Sequence, residues 1–77
     1  MKDLLEFLAR QLVEHPDAVE VTEVTDERGL LLQLRVDPED VGKIIGKGGR
    51  TARAIRTVVR AAGTRSGVHA AVEILDR

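Results

Sequence analysis

Leu4, Leu5, Leu8 and Leu12 recur at three- and four-residue spacing, with Phe7 beside them. That period is helical, and it predicts an amphipathic helix from Lys2 to Glu14. His15-Pro16 ends it, because the residue before a proline is pushed out of helical backbone angles. Ala18 to Thr25 is rich in Val and Thr and reads as a strand. Val19 and Val21 share one face while Val24 falls on the other, which either a bulge or a late turn explains. Asp26-Glu27-Arg28-Gly29 is a polar hairpin connection. Beyond it Leu30, Leu32, Leu34 and Val36 alternate with Leu31, Gln33 and Arg35, the pattern of a half-buried strand.

Asp37-Pro38-Glu39-Asp40 reads as a helix start, with Asp37 as N-cap, Pro38 at the first helical position and two acids in the first turn. The short helix that follows ends at the glycines between Gly46 and Gly49. A second helix is expected from Arg50 to Ala62, closed by Gly63 at C′. Val68 to Leu75 alternates again, with Val68, Ala70, Val72 and Ile74 on one face. The order helix, strand, strand, helix, helix, strand predicts an α+β fold, a three-stranded sheet with helices packed on one face. At 77 residues this is one domain, residues 1–77, around one small core.

The glycine-rich junction carries the most distinctive chemistry. In Val41-Gly42-Lys43-Ile44-Ile45-Gly46-Lys47-Gly48-Gly49-Arg50, a loop of three glycines and a lysine separates two helices. Residues without Cβ let the chain turn tightly and let a sugar-phosphate backbone come close. Amides at the start of the next helix, reinforced by its dipole, suit a phosphate. Lys47 at the tip adds a mobile positive charge. Glycines between helices also serve as plain turns, so context matters. At about 100° per residue Arg53, Arg56 and Arg60 fall in one narrow stripe of the second helix, and Arg50 starts it.

Charge strengthens that context. The net charge of −1 does not mark a nucleic-acid binder, yet it averages over two unlike halves. Residues 1–40 hold 11 acids and 4 bases; residues 41–72 hold 7 bases and no Asp or Glu. The second half is expected to form a cationic face, with Lys43, Lys47, Arg50 and Arg53 clustered at the loop. No cysteine is present, and His15 and His69 lie far apart, so neither disulfides nor a metal site are expected. No apolar run is long enough for a signal peptide or a bilayer span, and a cytoplasmic protein without cofactor is expected.

Other glycine motifs fail. A Walker A loop has four residues between its glycines and a Ser or Thr after the lysine; Gly42 to Gly46 is one residue short, and Gly48 stands where the hydroxyl belongs. The dinucleotide pattern fails too, and it needs a strand where this chain has a helix. Thr51, Thr57, Thr64 and Ser66 have no histidine near them in sequence, so no catalytic constellation is legible and an enzyme is not expected. His69 reads as an exposed strand residue. A DNA-reading helix is disfavoured, since Arg50 to Ala62 carries no Asn or Gln.

Ile44-Ile45-Gly46-Lys47-Gly48-Gly49, opening a helix with Ile55 further on, resembles the G-x-x-G signature of KH domains, and the element order resembles the type II arrangement. Length and the run from Val41 to Ala62 resemble the small bacterial KH proteins of KhpA type. The resemblance implies a clamp on about four nucleotides of single-stranded RNA. Gly46, Lys47, Gly48 and Gly49 would meet the backbone, and Lys43, Ile44, Ile45, Arg50 and Arg53 would flank it. Bases would lie in an apolar groove between the loop helices and the neighbouring strand, lined by Val41, Ile44, Ile45 and outward residues of the second strand. Spacing leaves open which isoleucine faces the groove. Ala52 stands where many KH domains carry a larger branched residue, which implies a shallower groove and weaker base discrimination. Phe7 is the only aromatic residue, so binding is expected to rest on phosphates and apolar packing, with strong salt dependence.

The second helix is also more apolar than one buried face requires. Ala52, Ile55, Val59 and Ala62 make a core stripe, which Ala54, Val58 and Ala61 widen to about half the circumference. Either the domain buries this helix deeply, or Ala54, Val58 and Ala61 form a dimer contact. The resemblance implies a homodimer, or a partnership with a larger Jag-type KH protein (KhpB). It also implies an RNA chaperone or post-transcriptional role and an association with cell shape. The competing reading is a protein-interaction subunit with little RNA binding of its own.

Overall fold

A computed structural model describes residues 1–76. The chain folds as α1 (Lys2–Leu12), β1 (Glu20–Asp26), β2 (Gly29–Val36), α2 (Val41–Ile45), α3 (Arg50–Arg65) and β3 (Ala70–Asp76), with single 3-10 turns at Pro16–Ala18, Pro38–Asp40 and Lys47–Gly49. The sheet order is β1-β2-β3, with β2 antiparallel to β1 and parallel to β3. This is the predicted α+β architecture, helices against one sheet face. Among the described residues no helix is long and apolar enough to cross a membrane.

Alternation in β2 drives the assembly. Leu32, Leu34 and Val36 have no exposed surface, and they meet Leu5 and Ala9 of α1, Ile44 of α2 and Ile55 and Val59 of α3 in one apolar cluster. Val21 pairs with Leu34, so β1 adds to the same inner face; Val72 and Ala70 do so from β3. Val24 needs neither a bulge nor a late turn. The β1–β2 register is unbroken from Glu20–Arg35 to Asp26–Gly29, and Val24 pairs with Leu31 on the uncovered face, where it is 40% exposed.

The end of α3 departs from expectation. The helix continues through Gly63 to Arg65 and closes at Gly67, whose φ is +74°. The Gly67 amide donates to the Thr64 carbonyl (3.1 Å) and the Val68 amide to the Gly63 carbonyl (2.7 Å), a Schellman closure. Gly63 is buried for a different reason: a Cβ there would lie 2.7 Å from the Val68 carbonyl oxygen and 2.9 Å from the Ala70 Cβ. It lets α3 sit tightly on the start of β3.

Asp40 is the one buried charged residue among those described. Sequence assigned it only to a helix first turn, and Asp37 does cap that turn, accepting from the Glu39 amide at 2.9 Å. Asp40 instead ties the end of α1 to the start of α2. Its Oδ1 accepts from the Glu14 amide (3.1 Å), and its Oδ2 accepts from the His15 amide (3.0 Å) and faces His15 Nδ1 (3.0 Å). Burial pushes the Asp40 carboxyl up, but the Glu14 amide, the His15 ring and the His15 amide together hold it below its ordinary value. The hydrogen bond to Asp40 raises His15, and Asp37, Asp40 and Glu39 add to that by charge, against a smaller opposing effect of burial.

These two shifts fix the sign of a pH dependence. A raised histidine stabilises below its unfolded value of 6.5 and loses that contribution as pH rises through its folded value. A lowered carboxyl stabilises above 3.8 and loses it as pH falls through its folded value. The tie therefore contributes in full between 3.8 and 6.5. Urea midpoints are expected to fall between about pH 6 and about pH 8 in the wild type, and less so in His15→Gln, which cannot gain the proton.

Candidate nucleic-acid interface

Helix α2 ends because Gly46 adopts φ 76°, ψ 171°, while its amide still closes on the Gly42 carbonyl at 2.8 Å. Gly48 and Gly49 also have positive φ, 63° and 79°, and the Gly49 amide returns to the Gly46 carbonyl at 3.1 Å. Three positive-φ residues within four positions reverse the chain in one 3-10 turn, which β-carbon sterics reserve for glycine. The glycines differ in their surroundings. A Cβ on Gly46 would overlap the Thr51 hydroxyl and Cβ, so this glycine packs against the first turn of α3. A Cβ on Gly48 would meet nothing within 4 Å, so the tip is open to a ligand.

Helix α3 begins directly after the loop, and its N-cap Gly49 supplies no side-chain cap. The Arg50 amide donates to the Lys47 carbonyl of the loop, and the positive end of the α3 dipole lies at the mouth of the loop. Lys47, Arg50 and Arg53 are exposed around that mouth. Among the described residues no carboxylate lies within 4.0 Å of any of the three, so their charge is available to an anion. Arg60 continues the stripe at the surface. Arg56 is half-buried, its Nε donating to the Val72 carbonyl at 3.4 Å.

Two of the residues expected at the RNA have other contacts. Ile44 is 0% exposed and belongs to the core, leaving Ile45 and Val41, both half-buried, at the surface. The open choice between the isoleucines is thus settled by the helix phase: Ile44 faces the sheet. Lys43 was expected to be free of acids, and sequence distance misled. Its Nζ lies 3.7 Å from Glu14 Oε1 and 3.8 Å from Asp40 Oδ1, because α1 ends beside α2. Helices α2 and α3 lie against the edge strand β3, while their buried side chains Ile44, Ile55 and Val59 join the β2 residues Leu32, Leu34 and Val36 in the core. Ala52 is 2% exposed, so its size reflects interior packing.

A second surface lies on the opposite flank of α3. Ala54, Val58 and Ala61 are all exposed, which excludes the deep-burial explanation of the wide apolar stripe. Ala54 and Val58 join Thr51 and Ile55 in lining a groove of about 260 Å³ whose other wall is Leu8, Gln11 and Leu12 of α1. Phe7, 60% exposed, lies one position along α1. Sequence missed the share of α1, although its five large apolar residues between Leu4 and Leu12 exceed what one helix face can bury.

The sheet topology and the two helices joined by a G-x-x-G turn define a KH domain in the type II order. Comparison with known proteins agrees: residues 2–74 match the family model described as the KhpA/KhpB KH domain. The chain belongs to that family. It is 53% identical over 75 residues to the RNA-binding protein KhpA of Clostridium acetobutylicum, covering 97% of this chain and 100% of that one. It is 46% identical over 76 residues to the RNA-binding protein KhpA of Aquifex aeolicus, covering 99% and 96%. Among solved structures, Aquifex aeolicus Era bound to GDP and aluminium fluoride superposes with a TM-score of 0.65 at 21% identity. That likeness spans 97% of this chain but only 29% of Era, and it concerns the fold alone.

The unequal surroundings of the loop glycines yield a stability test. Gly48→Ala is expected to cost about 1–2 kcal/mol, the penalty of a left-handed alanine. Gly46→Ala adds a steric clash with Thr51 of about 1–3 kcal/mol. Chemical denaturation should therefore rank wild type above Gly48→Ala, and Gly48→Ala above Gly46→Ala.

Proposed function

We propose that this protein binds short single-stranded RNA through the Gly46–Gly49 turn. The observation that carries this reading is the meeting of an open, glycine-lined helix start with three exposed cations that, among the described residues, no carboxylate pairs with. Phosphates lie against Gly48 and the positive end of the α3 dipole, with Lys47, Arg50 and Arg53 around them. Ile45 and Val41 offer apolar surface to bases, and Ile44 supports them from the core. Lys43 begins as an internal ion-pair partner. The relatives' name, RNA-binding protein, supports the reading. With no aromatic platform at the loop, affinity comes from phosphate contacts and is modest and strongly salt-dependent. A cytoplasmic post-transcriptional regulator or RNA chaperone fits such sequence-tolerant binding.

The exposed apolar groove between α1 and α3 favours a second, compatible reading: a contact for a homodimer or for a Jag-type KH protein (KhpB), through Ala54, Val58 and Ala61. On the α3 wheel this flank and the arginine stripe point to different sides, so a partner leaves the cationic side uncovered.

The test is a polarisation titration with pooled cellular RNA at two salt concentrations, comparing wild type with a Lys47→Asp, Gly48→Asp double variant shown by circular dichroism to remain folded. Wild-type binding should weaken steeply with salt, by about 0.7 in the log–log slope per neutralised phosphate, and the double variant should lose more than about tenfold in affinity. Equal binding by both, or none by either, would overturn the loop reading and leave partner capture through α3 as the leading account.

A further inference from the structure

The G-x-x-G reading gives no role to a buried carboxylate, yet Asp40 is fully buried, one helical turn before Lys43. Its two oxygens serve different neighbours. Oδ2 takes both donors of His15, the amide and Nδ1, each at 3.0 Å. Oδ1 takes the Glu14 amide at 3.1 Å and faces Lys43 Nζ at 3.8 Å, while Glu14 Oε1 lies 3.7 Å from the same ammonium. His15 and Lys43 are therefore alternative counter-charges for one buried anion. Lys43 lies on α2 within one turn of Gly46, and its side chain is 43% exposed, so it is both held and able to leave.

We propose that the Asp40–His15 pair controls whether Lys43 is available to RNA, so that mild acid recruits a further cation to the loop. This rests on the RNA-binding reading above and adds a regulator to it. With His15 neutral, its ring still donates a hydrogen bond, but the net charge of Asp40 is balanced by Lys43 alone. With His15 protonated, the imidazolium balances Asp40 from the Oδ2 side. Lys43 then loses much of its attraction to the buried carboxylate and turns to a phosphate. The groups facing His15 are acidic. Asp37 and Glu39 come from the 3-10 turn, Glu14 from the end of α1, and Asp17, with Asp37, lines the same surface depression. The hydrogen bond to Asp40, with the charges of Asp37, Asp40 and Glu39, moves His15 above its ordinary value against the opposing effect of burial. Linkage makes the effect reciprocal: RNA that draws Lys43 away makes His15 easier to protonate.

Two readouts test this separately from RNA binding itself. The first follows the His15 ring by NMR titration of the free protein. Lys43→Met removes the competing cation and leaves the Glu14 and His15 amides on Asp40, so the His15 pKa is expected to rise above wild type. An unchanged value overturns the proposal whatever the RNA does. The second measures the salt slope of oligouridine binding at about pH 6 and about pH 8, since uracil gains no proton in that interval. Wild type and a His69→Gln control should bind with a slope steeper by about 0.7 at the lower pH, one extra phosphate contact. His15→Gln and Lys43→Met should show no such increment. An increment that survives in either variant, or is missing from wild type, overturns the proposal. A wild-type protein that binds no RNA at either pH overturns the RNA-binding reading, while the His15 shift in Lys43→Met still reports on the tie.

Discussion

The close approach of Gly46 to Thr51 holds α2 and α3 at the turn on which the interface depends. Because Gly46 has no side chain, α3 starts as soon as the chain has reversed, and its N-terminal end lies beside Lys47 rather than behind a longer loop. Ile44 fixes one side of that turn in the core, and Ile55 and Val59 fix the other. The loop is thus exposed at its tip and packed at its base.

Helix α3 meets three environments. One side packs on the sheet through Ala52, Ile55, Val59 and Gly63. A second, with Ala54 and Val58, faces α1 across an apolar groove. The third carries Arg53 and Arg60, both exposed, and Arg56, which reaches the Val72 carbonyl of β3. The acids concentrated in residues 1–40 leave the α3 side as the cationic one, and only Lys43 is drawn back toward them.

Local pattern made most of the fold legible. The alternation from Leu30 to Val36 gave the central strand, and the glycines gave the helix–turn–helix. Readings failed where a distant residue decides. Gly63 looks like a helix terminator, but Ala70 and the Val68 carbonyl are what require it, and the true closure is Gly67. Val24 looked like a break in the pattern only because the second sheet face is uncovered. Asp40 and Lys43 were the larger miss. The partners of Asp40 lie 25 and 26 residues away, and only the packing of α1 against α2 brings them together. The candidate site was legible at Gly46 to Gly49, Lys47, Arg50 and Arg53, whose placement follows from the turn itself.

The central claim is that the Gly46–Gly49 turn and the start of α3 are where RNA sits. Amide chemical-shift mapping with a short single-stranded RNA tests it most directly. The account predicts that the largest changes fall on Ile45 to Arg53, with β1 unaffected. Changes confined to the α1–α3 groove around Leu12 and Val58, or centred on the β1–β2 hairpin, would contradict it.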